Sequence, residues 1–167
     1  MIAYLLIMLG LVMRVMPHAP NFTPVVAIAL FAGVYLNKKV VPWVPLAIMA
    51  VSDLIIGMHD VVLFTWGAFL LIGFLGMWLS KHKSPSSVLI SGIMSAVIFF
   101  IISNFGVWLV WYPLSIEGFV TCYVKAIPFM RDTLTSTLVY SAVLFGLYEA
   151  ARKFVGKTRY SSVLLAN

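Results

Sequence analysis

Residues 87–111 read SVLISGIMSAVIFFIISNFGVWLVW. No charged residue interrupts them, and polar residues appear only as single serines and one asparagine. A helix needs about 20 predominantly apolar residues to cross a bilayer. A strand of a membrane barrel would instead alternate apolar and polar residues. This continuous run therefore reads as a membrane helix, and it sets the reading of the whole chain.

Working outward, the same pattern recurs. Apolar runs cover roughly 1–16, 24–37, 41–57, 61–80 and 131–153, separated by Pro17, by Asn37-Lys38-Lys39, by Gly57, and by Lys81-His82-Lys83-Ser84-Pro85. Only 10% of the 167 residues are charged and 63% are apolar, against about 25% and about 45–50% in soluble domains. In lipid, every backbone polar group needs an internal partner, which leaves helices or closed barrels. The expected fold is an all-α polytopic membrane protein with six transmembrane helices. Residues 1–153 would form one transmembrane domain, and 154–167 a basic cytoplasmic tail. The run at 24–37 is short, so neighbouring protein must partly cover it. Residues 112–130, broken by Pro113, Gly118 and Pro128, read as a long insert before the sixth helix.

Lys and Arg favour cytoplasmic loops. With both termini cytoplasmic, the inner side carries Lys38, Lys39, Lys81, Lys83, Arg152, Lys153, Lys157 and Arg159, eight of the eleven basic residues. The outer side carries Arg14, Lys125 and Arg131 with four of the five acids, Asp53, Asp60, Glu117 and Asp132. The expected location is the bacterial cytoplasmic (inner) membrane. The net charge of +6 lies at run ends and forms no stripe with aromatics, so nucleic acid is not an expected partner.

The unusual polar residues gather at one depth, on the outer side. In "MRVMPHAPNFTP", residues 13–24, Arg14 closes the first helix, and His18 and Asn21 lie in the proline-stiffened loop. Asp53 ends the third helix, His59 follows in the next turn, and Asn104 and Trp108 lie near the end of the fifth. Cys122 lies in the insert. A charge at membrane depth is costly, so Arg14 and Asp53 are expected to pair and join the first and third helices. Together, Arg14, His18, Asn21, Asp53, His59, Asn104, Trp108 and Cys122 make a candidate ligand pocket of the usual kind, mostly apolar with a few convergent polar groups. Trp66 and the aromatics around Trp108 read first as an interfacial belt and second as a stacking platform. No HxxxH, HExxH or paired CxxC spacing supports a metal site. No nucleophile–base motif supports an enzyme, and no cofactor is expected. Gly156-Lys157-Thr158 lacks the earlier glycine of a phosphate-binding loop, since Ala151 stands there. Ala29 and Gly33 give the second helix a smooth face suited to close approach by another helix.

The series Arg14, Pro17-His18, Asn21-Phe22-Thr23-Pro24 and Ala29-Leu30-Phe31-Ala32-Gly33, with Ser52-Asp53, Gly57, His59, Cys122-Tyr123 and Ala126-Ile127-Pro128-Phe129, resembles a bacterial family of transport proteins without established function. In size, topology and outer-loop character the chain also resembles the substrate-binding S-components of energy-coupling factor vitamin transporters. That resemblance implies a micronutrient-binding subunit, with a vitamin such as cobalamin as substrate. It also implies a separate transmembrane energy-coupling subunit with ATPases, docked on a small-residue face such as Ala29 and Gly33. Nickel and cobalt binders of that class begin Met-His, and this chain begins Met1-Ile2. Small cobalamin transporters place a cysteine early in a central helix, whereas Cys122 is in the insert. The alternative from composition alone is a non-catalytic accessory subunit of a larger membrane complex, its outer polar residues serving as contacts.

Overall fold

The structure, a computed structural model, describes residues 1–16, 21–158 and 160–165. Seven helices lie among them: α1 (Ile2–Val15), α2 (Val25–Tyr35), α3 (Trp43–Ile56), α4 (Val62–Leu79), α5 (Pro85–Trp111), α6 (Ile116–Val155) and the short α7 (Ser161–Leu164). Helices α4, α5 and α6 are long and apolar enough to cross a membrane, and α1, α2 and α3 are shorter apolar helices. Large side chains such as Leu54 (77% exposed) and Leu63 (78%) face outward, an arrangement that suits lipid better than water.

The first six helices run alternately between two ends of one bundle. Arg14, Asp53, Trp66, Asn104 and Cys122 meet at one end, through contacts among α1, α3, α4, α5 and α6. Tyr35, Lys83 and Glu149 meet at the other. Punctuation in the sequence sets the turns. Ser84 caps α5 by accepting from the Ser87 amide at 3.0 Å, with Pro85 in the first turn, where its missing N–H costs nothing. Gly57, at φ +120°, ends α3 in a conformation that only glycine adopts without strain.

Helix α2 is the core of the bundle. All eleven of its residues are buried, and it touches α1, α3, α4, α5 and α6. A helix apolar on every side belongs inside. At about 16 Å long it could not cross a bilayer alone. Its small residues serve this burial. Gly33 lies against Gly76 of α4, where a Cβ would come within 2.6 Å of the Gly76 Cα. Ala29 is fully buried. The expected docking face at Ala29 and Gly33 is therefore internal packing and is closed to a partner. Phe31 and Tyr35 of α2 complete the core against Phe145 and Tyr148 of α6, the two tyrosine rings 4.1 Å apart.

Residues 112–130 are the main correction. They are not an insert: from Ile116 they form the first half of α6, a single 40-residue helix. Two of the three breakers fall where a helix welcomes them. Pro113 precedes the helix, and Ser115 caps it by accepting from the Gly118 amide at 3.1 Å. Gly118 leaves room for the Pro113 carbonyl folded over the first turn. Pro128 alone lies inside, and the helix continues past it, losing one backbone hydrogen bond. At roughly 60 Å, α6 is longer than a bilayer core requires. In the C-terminal segment α6 runs to Val155, and Leu165 lines a cleft beside Val34 and Tyr35.

Candidate ligand site at the Arg14 end

The site is built on a buried ion pair. Arg14 ends α1, and Ser52 and Asp53 end α3. The Arg14 guanidinium donates from Nη2 to Asp53 Oδ1 at 2.9 Å and from Nε to Ser52 Oγ at 2.7 Å. Asp53 is only 2% exposed, and its second oxygen accepts from Trp66 Nε1 of α4 at 2.9 Å. His59 Nε2 stands 3.9 Å from that same oxygen. Three helices thus converge on one carboxylate. Trp66 is a partner of that carboxylate, and it was missed as such because tryptophan near a helix end reads as a membrane-interface residue.

Two cavities adjoin above this pair and share Asn21, Thr65, Phe99 and Thr133 as walls. The smaller, about 180 Å³, adds Arg14, Thr23 and His59. The larger, about 300 Å³, is bounded by Phe100, Asn104, Trp111, Cys122, Lys125 and Phe129 among others. The smaller compartment is therefore the more polar, and the larger is mainly apolar with several aromatic walls. Asn21 holds φ +58°, a region that asparagine tolerates better than most residues. The Ser136 hydroxyl of α6 lies 3.4 Å from its carbonyl and 3.0 Å from the Thr133 carbonyl, the nearer acceptor.

Five of the eight expected site residues line these cavities: Arg14, Asn21, His59, Asn104 and Cys122. Asp53 lies behind them, holding Arg14. Trp108 does not line them. Its indole N–H donates to the Pro113 carbonyl at 3.1 Å and braces the α5–α6 turn, while Trp111 takes the place beside the cavity. The expectation for His18 lies outside the described residues. Asn104 donates from Nδ2 to the Phe100 carbonyl at 2.8 Å, and its side-chain oxygen has no hydrogen-bond partner among the described residues. Cys122 is buried and donates to the Asn104 carbonyl at 3.5 Å. Lys125 makes no ion pair among the described residues, and its ammonium lies 5.9 Å from the centre of the Tyr112 ring. Sequence reading also passed over Thr65, Phe99 and Thr133. Only their spacing on helices not yet placed could have brought them to one wall. Among the described residues no three His, Cys, Asp or Glu side chains gather as a metal-ion site.

Chemically, the arrangement offers amide, hydroxyl and imidazole groups in one compartment and stacking faces in the other, with a cation at the rim. It fits an amphipathic small molecule better than a bare ion.

A family model described as a family of unknown function (DUF6580) matches residues 1–161, and the chain belongs to that family. No curated protein and no solved structure matches it. These comparisons provide no link between the family and the S-components of vitamin transporters.

Proposed function

We propose that this member of the family is a substrate-binding integral membrane subunit for uptake of a small, vitamin-like micronutrient. The carrying observation is the convergence of Arg14, Asn21, His59, Asn104 and Cys122, drawn from three helices and two loops, on adjoining cavities at one end of the bundle. In this reading the first six helices traverse a bacterial cytoplasmic membrane, with α2 shielded from lipid by its neighbours. The Arg14 end faces outward, and the end bearing Lys38, Lys39, Lys81 and Lys83 faces the cytoplasm, as the distribution of basic residues favours. The chain binds and releases; transport through the bilayer is driven by a separate energy-coupling subunit.

Ligand binding raises the melting temperature of the folded state. A thermal-shift screen of detergent-solubilised protein against vitamins and related organic molecules, cobalamin included, tests the reading. At least one compound is expected to stabilise the wild type and to leave the His59→Ala/Lys125→Ala variant unchanged. If no compound distinguishes the two proteins, the cavities are packing defects and the accessory-subunit reading replaces this one.

A further inference from the structure

The opposite end of the bundle holds a second pair of adjoining cavities, also of contrasting character. One, about 390 Å³, is lined by Val34, Tyr35, Lys83, Tyr148, Arg152 and Leu165. Among the described residues it is lined by two cations and no carboxylate. The other, about 580 Å³, shares Tyr35, Lys83 and Arg152 and continues between α5 and α6 along Val88, Phe145 and Gly146. We propose that this cleft holds one anionic phospholipid, its phosphate between Lys83 and Arg152 and an acyl chain in the groove beside Gly146.

Three observations carry the proposal. First, two cations share one carboxylate. Glu149, on the apolar side, accepts a hydrogen bond from the Tyr35 hydroxyl at 2.6 Å. It stands farther from Lys83 Nζ (3.9 Å) and Arg152 Nη1 (3.6 Å), beyond direct hydrogen-bond range. One carboxylate serves two cations, so a net positive charge remains among the described residues. Burial lowers the pKa of the Lys83 amine, and Glu149 opposes this; an arriving phosphate would favour the charged form further.

Second, the groove is open. A Cβ at Gly146 would meet nothing within 4 Å, unlike Gly33 or Gly76 in the packed core. Ala142 and Gly146, one turn apart, make a trough wide enough for a chain. Third, the groove joins surface already suited to lipid, since Val143 (48% exposed) and Leu147 (51%) flank it on α6. A soluble phosphate compound would have no use for this apolar half, and an apolar partner helix would leave the two cations with only Glu149 between them.

Native mass spectrometry of the full chain, delipidated in detergent, tests this with phosphatidylglycerol, phosphatidylcholine and inorganic phosphate as probes. One phosphatidylglycerol should bind in preference to phosphatidylcholine. Lys83→Ala/Arg152→Ala should weaken it roughly 30-fold, from the attraction of two basic residues for anionic lipid. Gly146→Leu, which keeps both cations and fills the groove, should weaken both lipids. It carries the test alone if the double variant fails to fold. Equal binding of the two lipids, or binding unchanged in Gly146→Leu, overturns the proposal. So does displacement of phosphatidylglycerol by millimolar inorganic phosphate, which would assign the cations to a soluble anion.

Discussion

Arg14 and Asp53 lie 2.9 Å apart at the meeting point of α1, α3 and α4, with the carboxylate almost wholly buried. Each oxygen of Asp53 is occupied, one by Arg14 and the other by Trp66. Breaking a buried pair from one side leaves the other charge uncompensated, at a cost of about 3–5 kcal/mol. Arg14→Ala and Asp53→Ala should each destabilise the protein by that order, measured as a lower melting temperature in detergent. Arg14→Lys should recover only part of the loss, because one ammonium cannot reproduce the fork that reaches both Ser52 and Asp53. Full stability in Arg14→Ala would show that the pair is incidental.

This pair was legible in the sequence because two charges of opposite sign stood at one depth in an apolar chain, where each needs a partner. The apolar runs were legible for the same reason: lipid-facing sequence tolerates little else. The N-terminal half of α6 was not. Pro113, Gly118 and Pro128 look alike as breakers, but two sit at the helix start, where proline and glycine fit the cap, and one is absorbed inside. Trp66 was obscured because an indole serves a belt or a hydrogen bond equally well. Ala29 and Gly33 showed correctly that something approaches closely, but a small residue does not say whether its neighbour lies in the same chain.

Gly33 and Gly146 make a matched test of that last point. Gly33→Ala should destabilise by about 1–3 kcal/mol through overpacking against α4, since its Cβ would press on the Gly76 backbone. Gly146→Ala, with open space around it, should be neutral or stabilise by about 0.5–1 kcal/mol as a helix-interior glycine replaced. Melting temperatures of the two variants, compared with wild type, decide whether α2 is core or surface.

The Tyr35 hydroxyl bonds Glu149 across 114 positions of sequence, tying the end of α2 to α6. Nothing local in the sequence signals this contact. Tyr35→Phe keeps the ring packing on Tyr148 and removes one hydrogen bond to a half-exposed carboxylate. A loss of about 1 kcal/mol is expected, read by thermal unfolding, and the same substitution should cost less when Glu149→Gln is already present. Additive losses would show that the two side chains act separately.

Cys122 is the only cysteine and is buried with its thiol on the Asn104 carbonyl. Bulky maleimides should react slowly with folded protein and completely after denaturation. Cys122→Ser should fold normally, because a hydroxyl can donate to the same carbonyl. Rapid labelling of the native protein would place α6 in a different rotation about its axis.

The central claim is that the cavities at the Arg14 end hold a small molecule. The most direct measurement is the intact mass of protein purified under mild conditions from cells able to supply the ligand. One defined adduct at unit stoichiometry is predicted for the wild type and for Lys38→Ala/Lys39→Ala at the far end. The same adduct should be absent from Asn104→Leu/His59→Ala, with its melting temperature measured alongside to check that it folds. An adduct that survives in the cavity variant, or a wild type of bare mass under every growth condition, contradicts the account.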